Sequence, residues 1–334
     1  MDNRSNLSFI NTLPAVIPPT TKLNFVRNWW KRSAKTADIA ESRIIQRIYD
    51  ALPGVVNQIP TFARIGRIPI DDEGKSQINT LYITQRPEQD APYQFEAERA
   101  TNLDTIIQQE NNNKNLVICH GYGAGLGFFY RNYQELSQAP GWRVFSLDWS
   151  GMGNSSRPKW TIFKKSNQTW DDIVTIVEDH FVESLESWRE KVGLEKMTLF
   201  GHSLGGYFSA CYALKYPERV EKLILVSPAG IPEPPPETIT KPNNPQETLQ
   251  KEASKINANY QAEAATAENI AKQQVNPPAR KIPAWANYLW NKNVTPMSIV
   301  RMTGPFGAGL VHSYTSRRFA HLTESEQHDF YDYL

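Results

Sequence analysis

Cysteine is scarce in this chain, and the two cysteines form no pattern. Cys119 and Cys211 are the only ones among 334 residues, and each falls in a run that predicts a strand or a helix. A disulfide framework needs several paired cysteines, and a thiolate metal site needs closely spaced ones, so neither is expected. We therefore predict a protein of a reducing compartment or of the mitochondrial matrix, with no bound metal and no cofactor.

Long apolar runs and a strong net charge are lacking as well. No apolar run reaches the roughly 18 residues that a transmembrane helix needs. Lys and Arg total 36 against 35 Asp and Glu, a formal net charge of +1, so the charge balance favours no nucleic-acid partner. Hydrophobic residues make up 40% of the chain and charged residues 21%, which is typical of a soluble globular core. Without visible repeats, this length predicts one large domain or two small ones.

Acidic residues are nearly absent from residues 1–37, where Asp2 is the only one beside six Lys and Arg. On a helical wheel, Leu23 to Arg32 separates completely into two halves. One half carries Leu, Phe, Val and both tryptophans, and the other carries Asn, Arg and Lys. This pattern predicts a basic amphipathic helix that lies on a membrane surface or directs the chain to mitochondria. A disordered tail, or a helix docked on the domain, is the alternative.

One glycine-rich motif, Gly201-His202-Ser203-Leu204-Gly205, has the form G-x-S-x-G. An apolar run typical of a buried strand precedes it, and a helical run that ends before Pro217 follows it. In that context the serine projects from a sharp turn as a nucleophile, and small neighbours make room for it. We predict Ser203 as the nucleophile, the backbone N–H of Leu204 as an oxyanion donor, and structural roles for Gly201 and Gly205. The alternative is an incidental serine in a glycine-rich turn.

A second glycine-rich loop begins at His120 and follows the continuous apolar run Leu116 to Cys119. Such a run is typical of a strand that is buried on both faces of a parallel sheet. A turn at the carboxyl end of that strand leaves backbone N–H groups free to face a ligand, so we predict Tyr122 as the second oxyanion donor. Structural roles are predicted for His120, Gly121 and Gly123.

Strand and helix patterns alternate between residues 38 and 230. Helical spacing covers 38–52 and 170–191, a hairpin is predicted from two strands at 62–70 and 77–84, and further strands begin near 116, 143, 196 and 222. Strands that alternate with helices predict a mostly parallel sheet with helices on both faces. Six prolines fill 232–245, and 277–334 is rich in aromatic residues. We therefore predict three parts: a targeting or membrane-surface segment at 1–37, an α/β core at 38–230, and a proline-rich linker with a helical cap at 231–334.

These residues resemble the α/β-hydrolase superfamily in three places: His120-Gly121 after one strand, Asp148 with Gly151 and Gly153 after the next, and the elbow around Ser203. Longer stretches resemble the mitochondrial cardiolipin-specific deacylases and the related lysophosphatidic-acid acyltransferases and lipase co-activator. These stretches are His120–Phe129, Ser227–Gly230, Leu289–Pro296, Val300-Arg301 and Ser316–Phe319. The resemblance implies an α/β-hydrolase fold with a cap, a structural role for Asp148, and a phospholipid substrate such as cardiolipin. It also implies a place at a mitochondrial membrane surface, or alternatively at a lipid droplet or cytoplasmic membrane surface.

In this superfamily the acid and the histidine of the triad follow the nucleophile, on loops after two later strands. No strand ending in Asp and no later strand ending in Gly-His occurs after Ser203. His312, His321 and His328 fall in the predicted cap. We therefore expect the last core strands, the acid and the base to lie beyond Leu334, which would expose an edge of the sheet and leave this chain with little or no activity.

Two hypotheses of function from different classes remain. In the first, the chain derives from a serine-dependent hydrolase of lipid esters, and specifically a cardiolipin deacylase in mitochondrial lipid remodelling. In the second, it is a non-catalytic protein that binds a lipid surface or a partner, as the resemblance to the co-activator implies. The co-activator has lost its elbow serine, so the presence of Ser203 favours the enzyme. Acyl transfer to lysophosphatidic acid and hydrolysis of small soluble esters are further alternatives.

Overall fold

A six-stranded sheet forms the centre of the described part of the chain. The computed structural model describes residues 26–27, 29–30, 33–50, 61–85, 100–109, 114–159, 162, 164–230, 294 and 296–334. The strands are β1 (Thr61–Pro69), β2 (Gln77–Gln85), β3 (Lys114–Cys119), β4 (Trp142–Leu147), β5 (Met197–His202) and β6 (Val220–Val226). They lie in the order β1-β2-β4-β3-β5-β6, with β1, β2 and β4 paired antiparallel and β4, β3, β5 and β6 paired parallel. The expected mostly parallel sheet of an α/β hydrolase is therefore confirmed.

The described residues form eight α-helices. They are α1 (Ala34–Asp50), α2 (Leu103–Gln109), α3 (Tyr130–Ser137), α4 (Trp170–Lys191), α5 (Leu204–Lys215), α6 (Pro296–Met302), α7 (Gly307–Arg318) and α8 (Glu324–Tyr333). Short 3-10 turns precede α3 and α7, at Leu126–Phe129 and Gly304–Phe306. Capping boxes begin two of the helices: the Thr169 and Thr323 side chains accept the backbone N–H of Asp172 and Glu326. These reciprocal bonds fix the first turns of α4 and α8.

The predicted hairpin is present. β1 and β2 pair in register from Thr61 opposite Gln85 to Pro69 opposite Gln77. The Asp71 carboxylate accepts the backbone N–H groups of Lys75 and Ser76 at 2.8 and 2.7 Å, and Gly74 has φ +67°. The turn therefore forms because an acceptor side chain and a residue tolerant of positive φ occupy the right places.

Two hydrophobic layers enclose the sheet, one on each face. Val117 and Cys119 of β3 pack in the layer that contains Phe181 and Trp188 of α4. Leu116 and Ile118 pack in the other layer, with α1, α3 and α8. Because alternate side chains of a strand point to opposite faces, a strand covered on both sides must be apolar throughout. This explains the continuous apolar run in β3.

The chain divides into two compact units, one of residues 1–231 with 303–334 and one of residues 232–302. The division of residues 231–334 into a proline-rich linker and a helical cap stays a prediction. Ion pairs hold α8 against α1, between Arg43 and Asp332 at 3.3 Å and between Arg47 and Asp329 at 2.5 Å. Helical periodicity shows that a helix has an inner face, but not which surface receives it.

The predicted basic N-terminal helix lies mostly outside the described residues. Residues 26, 27, 29 and 30 are described and are helical. Trp29 is 39% exposed and Trp30 75% exposed, and their ring centroids are 4.9 Å apart. None of the described helices combines the length and the apolar composition needed to cross a membrane. The role of this segment stays a prediction.

Candidate active site

Ser203 occupies a sharp turn between β5 and α5. Its backbone has φ 54° and ψ −120°, a conformation that residues other than glycine rarely adopt. Its N–H donates to the Val226 carbonyl of β6 at 3.0 Å, and its own carbonyl accepts the N–H groups of Ala229 at 2.9 Å and Tyr207 at 3.2 Å. Bonds from a neighbouring strand, a loop and the following helix therefore hold this conformation.

The turn is tight because glycines surround the serine. A Cβ atom at Gly205 would lie 2.3 Å from the Cys119 carbonyl oxygen and 2.5 Å from that of His120. A Cβ atom at Gly201 would lie 2.6 Å from the Gly205 carbonyl oxygen. All three distances are well below van der Waals contact, so no side chain fits at either position. The structural roles of Gly201 and Gly205 in a catalytic elbow stay predictions.

The loop after β3 lies directly against the elbow. A Cβ atom at Gly121 would be 2.9 Å from the Ser203 Cβ. The loop turns through a hydrogen bond from the Ala124 N–H to the Gly121 carbonyl at 3.3 Å, and Gly123 has φ +66°. Leu204 is the first residue of α5, where backbone N–H groups have no partner within the helix. The convergence of the Leu204 and Tyr122 N–H groups on one oxyanion position stays a prediction.

His120 is fully buried between the two loops that follow β3 and β4. The backbone N–H of Trp149 donates to its Nε2 at 3.3 Å, so the proton lies on Nδ1, which donates to the Gly121 carbonyl at 2.8 Å. Burial lowers the pKa of His120 by more than the nearby Asp148 carboxylate raises it. The imidazole is therefore neutral, and its two ring nitrogens bond the backbone of both loops. The structural role of His120 stays a prediction.

Asp148 connects the loop after β4 to the loop after β3. Its Oδ1 accepts the Leu126 N–H at 2.8 Å, and its Oδ2 accepts the Asn154 N–H at 2.9 Å. Gly153 has φ +49°, and a Cβ atom there would lie 2.2 Å from Asp148 Oδ2. Each carboxylate oxygen thus fixes one loop, and glycine at 153 lets the backbone approach it.

Three buried contacts behind this loop were not predicted from the sequence. Asn79 Nδ2 donates to both Asp148 and Glu41 at 2.8 Å. The Tyr333 hydroxyl of α8 accepts the Gly127 N–H at 3.1 Å. Glu41 could have been found, because it occurs at helical spacing with Ile44, Ile45 and Ile48 on the inner face of α1. Asn79 and Tyr333 carry no local signal.

No histidine of the described part hydrogen-bonds Ser203 Oγ. His202 packs edge-on against Phe129, with ring centroids 6.3 Å apart. His312 lies against Tyr331, with ring centroids 5.7 Å apart, and His180 is a half-buried residue of α4 whose pKa burial lowers. The described residues thus bring the predicted nucleophile and loop together without a general base.

A groove of about 550 Å³ lies between α4 and α5, and Ser203 is not among its lining residues. Its polar groups are largely paired: Lys215 Nζ is 2.5 Å from Asp179 and 2.8 Å from Glu183, and the Tyr207 hydroxyl donates to Glu178. Burial raises the pKa of Cys211, which lines the groove, to about 11. A thiol with such a pKa is a poor nucleophile at neutral pH, so the candidate site remains at Ser203.

Comparison with curated proteins finds several relatives. The chain is 37% identical over 239 residues to the probable 1-acylglycerol-3-phosphate O-acyltransferase of Oryza sativa subsp. japonica, covering 70% of this chain and 47% of that protein. It is 32% identical over 232 residues to the (lyso)-N-acylphosphatidylethanolamine lipase of Homo sapiens, covering 69% and 54%. It is 35% identical over 204 residues to the 1-acylglycerol-3-phosphate O-acyltransferase ABHD5 of Homo sapiens, covering 60% and 44%. The chain therefore spans about half the length of these relatives.

A family model described as alpha/beta hydrolase fold matches residues 114–298. The matched region begins at β3 and includes the loop around Gly121, the elbow at Ser203 and β6. Because the match spans more than half of the 334 residues, the chain belongs to the α/β-hydrolase fold family.

Proposed function

We propose that this protein is a serine-dependent hydrolase of phospholipid esters, with Ser203 as the nucleophile. The observation that carries the proposal is the backbone of Ser203, held at φ 54° and ψ −120° against Gly121. Strained backbone of this kind persists only where the surrounding structure enforces it, and it clusters at functional sites. The presence of a serine at this strained position favours the catalytic hypothesis over the non-catalytic lipid-binding one.

The proposed reaction uses the predicted nucleophile and the two predicted oxyanion donors. Ser203 Oγ attacks the ester carbonyl and forms a tetrahedral intermediate. The oxyanion of this intermediate accepts hydrogen bonds from the backbone N–H groups of Leu204 and Tyr122. Each such donor contributes about 3 kcal/mol to the transition state. A general base takes the Ser203 hydroxyl proton during the attack and gives it to the leaving oxygen as the intermediate expels the lysophospholipid alcohol. Water then attacks the acyl-serine, the same base transfers a water proton to Ser203 Oγ, and a free fatty acid leaves. The general base is not assigned to any of the six histidines of the chain.

The substrate class is inferred from the relatives. The three described above are named for 1-acylglycerol-3-phosphate or for N-acylphosphatidylethanolamine and its lyso form. All of these are glycerophospholipids with an ester or amide acyl group and a phosphate headgroup. Cardiolipin deacylation at the mitochondrial membrane is the more specific form of the proposal, supported by the resemblance of the 120–129 loop.

The test uses the protein expressed from its complete reading frame, with Ser203→Ala as the matched variant. Fatty acid release is measured from cardiolipin, from lysophosphatidic acid and from N-acylphosphatidylethanolamine in mixed micelles. We expect Ser203→Ala to abolish release while its circular dichroism and thermal midpoint match those of the wild type. Unchanged release in the variant removes Ser203 from the mechanism. Release from the other two lipids but not from cardiolipin rejects only the specific form.

Acyl transfer to lysophosphatidic acid is the second candidate, because two of the three relatives are named as acyltransferases. No histidine of this chain has an aspartate five residues further on, the pattern associated with transfer in the resemblance. The same protein is given radiolabelled acyl-CoA and lysophosphatidic acid. Accumulation of labelled phosphatidic acid faster than labelled fatty acid identifies a transferase, and the reverse identifies a hydrolase.

We also propose that the N-terminal segment places the protein on a mitochondrial membrane. Support comes from the basic composition of residues 1–37 and from the exposed rings of Trp29 and Trp30. A tagged protein with Trp29→Glu and Trp30→Glu is expected to leave the mitochondrial fraction for a soluble or mislocalised pool. An unchanged distribution shows that these residues are only a tail.

A further inference from the structure

A long stretch near the C-terminal end of the chain carries charge of only one sign. Between Glu268 and Glu324 the sequence contains seven Lys and Arg and no Asp or Glu. The formal net charge of the whole chain is only +1 and does not reveal this local excess of basic residues. The last part of the stretch, residues 303–323, belongs to the first compact unit and includes α7. A basic element without acids attracts anionic surfaces.

The same element exposes an apolar row. Phe306 is 55% exposed, Leu310 45% and Tyr314 46%. These residues recur every four positions, so they follow one another along one face of α7 and the turn before it. Arg318 continues the row and Arg317 is beside it, and both are exposed. We call these five residues the α7 face.

The opposite side of α7 faces the protein. Ala308 and Thr315 are buried, and Phe319, which follows the helix, stacks on Phe330 of α8 with ring centroids 4.5 Å apart. Three acids of α8 pair with bases of α1 and α3 instead of with α7: Glu326 with Arg131, Asp329 with Arg47, and Asp332 with Arg43. These acids are therefore neutralised locally, and within the described part of the chain neither Arg317 nor Arg318 forms an ion pair with a carboxylate, so both can contact an anion.

We propose that the α7 face docks the protein on an anionic phospholipid bilayer, independently of the N-terminal segment. Phe306 and Leu310 enter the acyl boundary, the Tyr314 ring lies at headgroup level, and Arg317 and Arg318 contact lipid phosphates. A second copy of the chain fits this face poorly, because it brings the same arginines together. An anionic bilayer supplies both an apolar interior for the exposed apolar side chains of the α7 face and negatively charged phosphates for its arginines.

Vesicle sedimentation tests the proposal in the Ser203→Ala protein, so that no lipid is hydrolysed and the outcome does not depend on the proposed function. Vesicles of phosphatidylcholine with phosphatidylglycerol are compared with vesicles of phosphatidylcholine alone. Arg317→Gln with Arg318→Gln should weaken binding to the anionic vesicles by about 30-fold. Phe306→Ser with Leu310→Ser should weaken binding to both kinds of vesicle.

Control variants remove the same number of charges, or an exposed apolar side chain, elsewhere on the surface. Lys191→Gln with Lys196→Gln deletes two exposed charges, and Leu214→Ser deletes a side chain that is 84% exposed. Both control variants should bind as the parent does. Equal losses in the controls and in the α7 variants overturn the proposal, since binding then depends on overall charge or folding.

A depth measurement separates the α7 face from the N-terminal segment. A nitroxide is attached at Leu310→Cys in a Cys211→Ala background, where the remaining Cys119 is buried, and a second protein carries it at Leu214→Cys. With anionic vesicles the label at 310 should become accessible to oxygen and shielded from a water-soluble nickel chelate, while the label at 214 stays aqueous. An aqueous label at 310 on sedimented protein overturns the proposal. So does a dimer in solution that Phe306→Ser with Leu310→Ser dissociates, because the face then contacts a second copy.

Discussion

Ser203 has a backbone conformation that most residues avoid. The surrounding backbone hydrogen bonds enforce this strain, and the serine hydroxyl does not. Within the described residues its Oγ has no hydrogen-bond partner, whereas its N–H and carbonyl take part in three bonds. Such strain costs of the order of 1–3 kcal/mol for a residue with a Cβ atom. Stability and reactivity at this position can therefore be separated by substitution.

Ser203→Gly should raise the free energy of unfolding by about 1 kcal/mol relative to Ser203→Ala. Glycine adopts positive φ without strain, whereas alanine retains the strain, and the greater freedom of glycine in the unfolded chain offsets part of the gain. Chemical denaturation of the two variants measures the difference. Since both lack the hydroxyl, catalysis does not enter. A less stable Ser203→Gly protein would show that the turn is unstrained.

The three atoms nearest to a Cβ at Gly205 are all backbone atoms, which cannot move aside as a flexible side chain can. Gly205→Ala should cost about 3 kcal/mol or more, since the new Cβ atom would lie 2.3 Å from the Cys119 carbonyl oxygen. The matched control is Gly74→Ala in the β1–β2 turn, where φ is +67° and nothing lies within 4 Å of the new atom. Left-handed strain alone costs about 1–2 kcal/mol there. Similar losses of unfolding free energy in the two variants would contradict the close packing of the elbow.

At the scale of elements, α8 connects parts of the first unit that are distant in sequence. Its Glu326 accepts Arg131 at 2.7 Å and the Tyr130 hydroxyl of α3, and its Tyr333 hydroxyl accepts the Gly127 N–H of the loop that leads to α3. Asp329 and Asp332 pair with α1. The helix therefore supports the same loop that Asp148 holds from the other side.

The stability that α8 provides should depend on pH. Burial alone raises the pKa of Glu326, but the hydrogen bonds from Arg131, Tyr130 and Thr323 outweigh burial and lower it from 4.5 to about 2. A carboxylate with a lower pKa in the folded state stabilises the fold above its unfolded value of 4.5, and that contribution is lost as pH falls from 4.5 towards 2. Glu326→Gln should therefore cost of the order of 2 kcal/mol at about pH 7, and the difference from wild type should shrink as pH falls through this window.

Glu324→Gln is the control for this measurement. Glu324 belongs to the same first turn of α8 but is exposed. Its replacement should change the free energy of unfolding by less than about 0.5 kcal/mol at any pH. Urea unfolding followed by circular dichroism at a series of pH values gives both results. A loss for Glu326→Gln that stays constant down to about pH 2 would mean that packing, and not charge, holds α8.

On the scale of the whole molecule, the described sheet is unevenly covered. Strands β2, β3 and β4 are buried on both faces, whereas β6 at the edge exposes Leu223, Ile224 and Val226 by 36–41%. The expectation that the last core strands lie beyond Leu334 and so leave an edge of the sheet exposed stays a prediction. Unpaired N–H and C=O groups with apolar side chains at an edge favour association with other chains.

The 334-residue chain by itself should hydrolyse p-nitrophenyl esters no faster than its Ser203→Ala variant. Among the described residues no imidazole hydrogen-bonds Ser203 Oγ, and loss of the base lowers the turnover of a serine hydrolase by about 10⁶-fold. Burst amplitude and steady-state rate with the two purified proteins measure this. A turnover that depends on Ser203 and titrates near pH 6.5 would show that one of the histidines reaches the serine in solution.

Local patterns were sufficient to predict the elbow, the loop after β3, the hairpin and the mostly parallel sheet. Each depends on residues close in sequence: glycines beside Ser203, an acceptor at Asp71, or the continuous apolar run of β3. The conformation of such a segment is decided largely by what its own backbone and side chains permit. The sequence alone therefore determined the fold class and the position of the candidate nucleophile.

Tertiary structure decided what surrounds that serine. Asn79 bonds Glu41 and Asp148, and Tyr333 bonds Gly127, across separations that range from 38 to 206 positions. The fold likewise decided that α8 packs on α1 and α3, through the ion pairs of Asp332, Asp329 and Glu326. Periodicity specifies which residues of an element turn inward, whereas the surface that receives them depends on packing between elements distant in sequence.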